Sequence, residues 1–209
     1  MYNVDWNYIT ESEERGNMKF LGTVPLKTER LELRRYRKND DRDLFEIVGK
    51  DPEGMRYISW KPCETLAGSR EFIQLHLQQY QSDMSFFGWA VTMNDQLTGS
   101  IGTYHMDTEN ESCEIGYHIG RSYWNQGIAT EAVRRVIDFL FRTIGLHKVY
   151  ASCHEDNAAS RRVLEKAGMK YEGTAKEAIR EPDGSYKDLI YYYVLEPDWT
   201  AQAEEMLTK

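Results

Sequence analysis

Apolar residues change their period several times along the chain, and each change marks an element. ERLELRRY alternates at Leu31 and Leu33 and reads as a strand. Asn39, Asp40 and Asp41 then offer caps for a helix carrying Leu44, Ile47 and Val48. Leu66, Phe72, Ile73, Leu75, Leu77 and Tyr80 recur near helical spacing and predict a second helix, with Gly68 weakening its start. Three runs rich in aromatic and β-branched residues follow, FFGWAVTM, LTGSIGTYHM and SCEIGYHIG, separated by short polar breaks. They read as an antiparallel meander.

From Ile128 the period returns to that of a helix, through Ala132, Val133, Val136, Ile137, Leu140, Phe141 and Ile144. HKVYASC is a short strand, and Asp156 or Asn157 caps a further helix that Gly168 ends. That helix is expected to bury Ala159, Val163, Leu164 and Ala167. Two more strands flank a hairpin at Glu181-Pro182-Asp183-Gly184, the second being DLIYYYVL. A meander, a helix, a strand, a helix and a strand pair imply an α+β fold on a mixed sheet, because HKVYASC reaches that sheet through a helical crossover. The expected organisation is a polar appendage over 1–25, one domain over 26–197, and a C-terminal tail over 198–209 with helical potential.

Composition narrows the partners. With 34 acidic residues against 26 basic ones the net charge is −8, which argues against nucleic acid and mildly favours amine-bearing substrates. The 3 cysteines, Cys63, Cys113 and Cys153, form no CxxC pair, so neither a disulfide framework nor a thiolate zinc site is expected, and a reducing cytoplasm fits. The 5 histidines show no HExxH or comparable spacing, and no metal is expected. No run of about 18 apolar residues and no signal-peptide pattern appear, so the membrane is not an expected partner.

The junction EIGYHIGRSYWNQGIATEAV carries the chemistry. A strand passes through a tight polar loop straight into a helix, which aims unpaired backbone N–H groups and the positive end of the helix dipole at one place. Gly127 removes the Cβ that would block an anion, and Ala129 keeps the first turn small. An ordinary capped helix is the plainer alternative. Gly116 inside EIGYHI marks either a bulge, which would free strand N–H and C=O groups for an extended amide-bearing ligand, or room for a bulky neighbour such as Trp124.

TERLELR, EIGYHI, YWNQGIATEAV and DNAASRRVLEKAGMKYEG together resemble the GNAT N-acetyltransferases, in particular the branch of ribosomal-protein N-terminal acetyltransferases. The resemblance spans roughly residues 26–197. One position departs from the general family loop, Arg/Gln-x-x-Gly-x-Gly/Ala: the chain has Trp124 where a basic or amide residue is usual. That fold implies a mostly antiparallel sheet splayed between its fourth and fifth strands, here EIGYHI and HKVYASC.

The resemblance further implies that acetyl-CoA threads this splay. Its pyrophosphate would lie on residues 126–130 and its thioester carbonyl near Ile119. The implied cofactor contacts are His118, Ile119, Asn125, Gln126, Gly127, Ile128, Ala129, Thr130, Asn157 and Ser160. Glu114 occupies the position of a catalytic glutamate in several members and would act as base, often through water, since an amine must be neutral to attack a thioester. Many members supply a tyrosine to the leaving thiolate at the position of Leu164, so Ser160 is the implied partner here. Trp60 and Tyr80 would border the acceptor pocket. A protein N-terminus is one expected acceptor, and a polyamine, amino sugar or amino acid another. A non-catalytic acyl-CoA sensor is the alternative to an enzyme, and the chain is expected as a monomer or homodimer.

Overall fold

The computed structural model describes residues 18–57 and 64–207. Among the described residues eight strands form one sheet in the order β1-β2-β3-β4-β5-β6-β8-β7. These are β1 (Leu26–Lys27), β2 (Leu31–Arg34), β3 (Gly88–Met93), β4 (Gln96–Asp107), β5 (Ser112–Ile119), β6 (Lys148–His154), β7 (Lys170–Arg180) and β8 (Tyr186–Leu195). The short β1 makes EIGYHI the fifth strand rather than the fourth. Every pairing is antiparallel except β5 with β6, which is parallel because the helix α4 (Ile128–Phe139) carries the chain across.

That parallel pairing lasts only three residues. Ser112, Cys113 and Glu114 face Lys148, Val149 and Tyr150, and the ladder then stops. On its other edge β6 is paired with β8 all the way from Lys148 to His154, so beyond Glu114 it is β5 that parts from it.

Alternation along the strands builds a core on each face of the sheet. On one side α4 buries Ile128, Ala132, Val133, Val136 and Ile137 against Leu33, Val91, Ile101 and Ile115. The predicted helix through Ile144 ends in a π turn, Leu140–Ile144, where the N–H groups of Gly145 and Leu146 both bond the Leu140 carbonyl. The same layer holds α5 (Ala158–Ala167), which buries Leu164 and Ala167 while Val163 is half-buried. Ala159, expected inside, is exposed: at about 100° per residue it lies about 140° round the helix from the buried Leu164. On the opposite face, α1 (Asp41–Leu44), the following π turn Phe45–Gly49 and α3 (Leu66–Ser82) pack Leu44, Val48, Ile73 and Tyr80 over Ala90 and Leu97. α2 (Pro52–Met55) follows this turn. Tyr80, expected at the acceptor pocket, is a core residue: its hydroxyl donates to the Gly88 carbonyl at 2.7 Å and accepts from Tyr36 N at 3.2 Å. Trp60 lies outside the described residues.

Both ends of the domain are drawn in. Residues 18–25 join the domain rather than the polar appendage: Lys19 N donates to the Ile144 carbonyl, Gly22 N to that of Met84, and Trp89 Nε1 to that of Val24. The C-terminal stretch forms α6 (Glu196–Leu207), whose buried Trp199 packs on Phe141.

Two polar clasps fix the first strands to the rest. Asp40 was expected to cap a helix but is buried, and both its oxygens accept from Arg34, at 2.7 and 3.0 Å. It also accepts from Arg37 N at 2.7 Å. In the second clasp Glu131, in the first turn of α4, accepts from Thr28 Oγ1 at 2.5 Å and from Arg30 Nε and Nη2 at 2.8 and 2.6 Å. Burial alone would raise the Glu131 pKa, but these donors outweigh it and hold it below the ordinary carboxylate value.

Replacing Asp40 by Ala strands the buried Arg34 guanidinium. It should cost about 3–5 kcal/mol in urea denaturation; a loss under about 1 kcal/mol would show the pair to be dispensable. Because the Glu131 pKa is lowered by folding, its contribution is complete above the unfolded value of about 4.3 and fades as pH falls through the folded one. Glu131→Gln should therefore destabilise the protein by about 1–2 kcal/mol at pH 7, with the difference from wild type shrinking below about pH 4. Parallel stability curves down to pH 3 would contradict this.

Candidate active site

The loop between β5 and α4 is shaped by two left-handed residues, Asn125 with φ 59° and Gly127 with φ 78°. Gly127 is the residue before α4, and no side chain caps the helix there. The N–H of Glu131 takes the Gly127 carbonyl, which leaves the N–H groups of Ile128, Ala129 and Thr130 as first-turn donors without a helical partner. Ile128 anchors this turn by burying its side chain, while Asn125, Gln126 and Gly127 are exposed. The expectation of main-chain donors at 126–130 thus meets an open, uncapped helix start.

Arg30 holds the loop from outside, and sequence reading missed it. Its Nη1 donates to the Gln126 carbonyl at 3.0 Å, and its Nη2 would lie 3.5 Å from a Cβ placed on Gly127. The Glu131 carboxylate, which would repel an anion at this helix start, is neutralised by the same guanidinium. Trp124, at the departing position, has a structural task. Its Nε1 donates to the Ile119 carbonyl at 2.7 Å and ties the loop to the end of β5. Only the pairing of residues about 100 positions apart shows the role of Arg30, since nothing local in TERLELR signals it.

Beyond Glu114 the facing edges of β5 and β6 have no ladder between them, which opens a cleft from the loop to the middle of the sheet. Gly116 does not cause a bulge. The register against β4 runs unbroken from Gly99–Ile119 to Tyr104–Glu114 and shifts only between Tyr104 and Asp107. A Cβ on Gly116 would stand 2.8 Å from Tyr104 Cε2, so the glycine makes room for that ring rather than for Trp124. The irregularity on β4 includes His105, with φ 49°. Its imidazole reaches Glu114 Oε2 at 2.9 Å, while Ser152 Oγ donates to Oε1 at 2.5 Å. Glu114 is thus a largely buried carboxylate held from two strands, and His105, with a side chain 75% exposed, connects it to solvent.

Ser160 and Asn157 stand at the start of α5. Asn157 Oδ1 accepts from Ser160 N at 3.0 Å, an N-cap bond. Ser160 Oγ lies 2.8 Å from the hydroxyl of Tyr117, a residue of β5 that the sequence reading did not single out. Burial pushes the Tyr117 phenol well above its usual range despite the Ser160 bond, so it stays protonated. A hydroxyl pair therefore occupies the region where the Leu164 position supplies none. Ile119 faces the α4 core, whereas His118 turns its ring to the other face, towards α2. Among the described residues no His, Cys, Asp and Glu cluster has the makings of a metal site, and no helix is long and apolar enough to cross a membrane.

An uncapped helix start after a left-handed glycine, joined to a gap between two central strands, can receive a phosphate group and an extended amide chain. The family model described as acetyltransferase (GNAT) domain matches residues 30–170. The uncharacterized N-acetyltransferase p20 of Bacillus licheniformis is 29% identical over 175 residues, covering 83% of this chain and 97% of the relative. The [ribosomal protein uS5]-alanine N-acetyltransferase of Escherichia coli is 25% identical over 191 residues, covering 85% and 93%. The solved structure of RimL, the ribosomal L7/L12 alpha-N-protein acetyltransferase in complex with coenzyme A, superposes with a TM-score of 0.74 at 20% identity, covering 82% and 98%. The open cradle, the splayed strands and a family match across most of the domain have one reading: this chain belongs to the GNAT family of N-acetyltransferases.

Proposed function

We infer that this chain transfers the acetyl group of acetyl-CoA to the α-amine of a protein N-terminus by direct attack in a ternary complex. The observation that carries this reading is the gap between β5 and β6 beyond Glu114 together with the uncapped start of α4 after Gly127. The protein acceptor is supported by the uS5-alanine acetyltransferase among the relatives. Free, buried thiols at Cys113 and Cys153 support the reducing cytoplasm as its place.

When bound, acetyl-CoA supplies an activated acyl carbon and a thiolate leaving group. The chain's residues do the rest. The N–H groups at 126–130 would hold the pyrophosphate, and the free edges of β5 and β6 would take the amides of the pantetheine arm as a strand takes its neighbour. The cradle fits the group because a side chain at 127 would be forced into a left-handed backbone beside Arg30. An α-amine has a pKa of about 8, so it must lose a proton before attack. Glu114 takes that proton through water and passes it to His105 and the solvent. The Ser160–Tyr117 hydroxyl pair donates to the departing thiolate.

Thiol release should be assayed with acetyl-CoA against amino-terminal peptides, polyamines, amino sugars and amino acids. Release with peptides alone is expected, and release only with a small amine would overturn the protein acceptor. Gly127→Asp should weaken acetyl-CoA binding by about 100-fold in calorimetry, through added charge and a strained backbone; unchanged affinity would remove the cradle. Glu114→Gln should lower kcat by about 10²–10⁴-fold with acetyl-CoA affinity intact. Ser160→Ala and Tyr117→Phe should each lower kcat by about tenfold and no further in combination, because paired groups act as one unit. Multiplying losses would show that they act separately.

A further inference from the structure

A row of side chains crosses the sheet at the point where β5 and β6 part. Tyr104 of β4 is opposite Glu114 of β5, Glu114 is opposite Tyr150 of β6, and Tyr150 is opposite Tyr193 of β8. Residues opposite one another share a face of the sheet, so a carboxylate stands here between two phenols, with a third beyond. The mechanism above uses Glu114 and leaves the tyrosines without a task. Neighbouring strands lie about 4.8 Å apart, which sets the Tyr104 and Tyr150 backbones about 10 Å from each other. Tyr104 does not fill the space over Glu114, because its ring leans along the strand to Gly116, where a Cβ would stand 2.8 Å from Cε2. The helices of this face pack instead over Ala90 and Leu97. Tyr104 is 48% exposed, and Tyr150 and Tyr193 are half-buried, so the row opens to solvent.

The next position in the row shows what these rings attract. Lys148 Nζ lies 5.8 Å from the centroid of the Tyr150 ring and 5.5 Å from that of Tyr193, with Glu172 balancing its charge. Both distances are those of a cation held on aromatic faces. At Glu114 the fixed charge is the carboxylate. Its partners among the described residues are Ser152 and His105, with no lysine or arginine. A carboxylate offers about four lone-pair positions, so it can accept further donors. Burial first, and the charge of Glu114 after it, raises the pKa of both Tyr104 and Tyr150, so both rings stay neutral beside the carboxylate. Two neutral rings flanking one negative charge favour an ammonium over an uncharged group of the same shape.

We propose that Tyr104 and Tyr150 flank the site where the acceptor docks, holding its primary ammonium over Glu114 before the proton leaves. The inference deepens the proposed function and rests on it for the fate of the bound group. The docked ammonium gives one proton through water to Glu114 and becomes the neutral amine, whose lone pair attacks the acyl carbon. Docking the protonated form puts the base beside the proton it removes. An alcohol brings no charge to the rings or the carboxylate, so the site selects amines. The rings act through their aromatic surface, and their hydroxyls are not required.

Tetramethylammonium chloride tests the site directly, because it carries the charge without a proton to transfer. Its methyl protons should show a saturable upfield shift in proton NMR, the mark of a neighbouring ring face. The uncharged tert-butanol, of similar shape, should show none. With the amine that turns over, Tyr104→Leu and Tyr150→Leu should each raise the KM for amine about tenfold while the KM for acetyl-CoA stays within twofold, which also shows that the fold is kept. The tetramethylammonium shift should vanish in the doubly substituted protein, and phenylalanine at the two positions should restore both the shift and the KM. An absent shift in the unsubstituted protein, or an amine KM unmoved by the leucines, overturns the site while turnover itself stands. A saturable shift without turnover of any amine supports the site and overturns the transfer reaction. Neither shift nor turnover overturns both.

Discussion

Everything functional in this protein depends on the failure of β5 and β6 to stay paired. Three residue pairs, ending at Glu114 and Tyr150, join the two strands, while the other edge of β6 stays paired with β8 along its whole length. An unpaired strand edge inside a sheet is costly unless something else takes its N–H and C=O groups, and here that edge faces a cleft. The crossover makes the geometry possible. A parallel connection needs a helix, and α4 supplies it with a stripe of Ala, Val and Ile packed on the sheet. The same helix begins where the cleft opens, so the fold places a ring of free N–H donors at the end of an unpaired edge.

The cradle is local in conformation and distant in support. Gly127 and Asn125 adopt left-handed angles within the loop, yet the loop is tied down by Arg30 from the chain before β2 and by Trp124 bonding back to β5. Glu131 completes the arrangement. Its carboxylate favours the helix start by its sign but would oppose a bound anion, and the Arg30 fork resolves the conflict by neutralising it. With Arg30 matched by Glu131, the departure from a basic residue at 124 leaves the loop to its main-chain donors.

Two faces of one strand divide the chemistry. Ile115, Tyr117 and Ile119 point towards α4 and α5, where Tyr117 meets Ser160. Glu114, Gly116 and His118 point the other way, towards the β4 irregularity and α2. Alternation along β5 thus puts the hydroxyl pair on one side of the cleft edge and the proton-accepting groups on the other. Gly116, lying between Glu114 and His118, lets the Tyr104 ring close over the strand.

The sequence by itself determined most of the element order, the single parallel connection, the need for a glycine at 127 and a cap at Asp156 or Asn157. Each of these rests on local rules: residue period, backbone freedom and a side chain within reach of its own backbone. Only the tertiary structure decided where the irregularity falls, because Gly116 signals a close approach without naming which ring approaches. It also turned Asp40 from a cap into the partner of a buried arginine, moved Tyr80 into the core, and drew residues 18–25 onto the sheet. The pairings Arg30–Glu131, Tyr117–Ser160 and Glu114–Ser152 span 101, 43 and 38 positions. Such contacts come from packing elements together, so no period or spacing along the chain carries them.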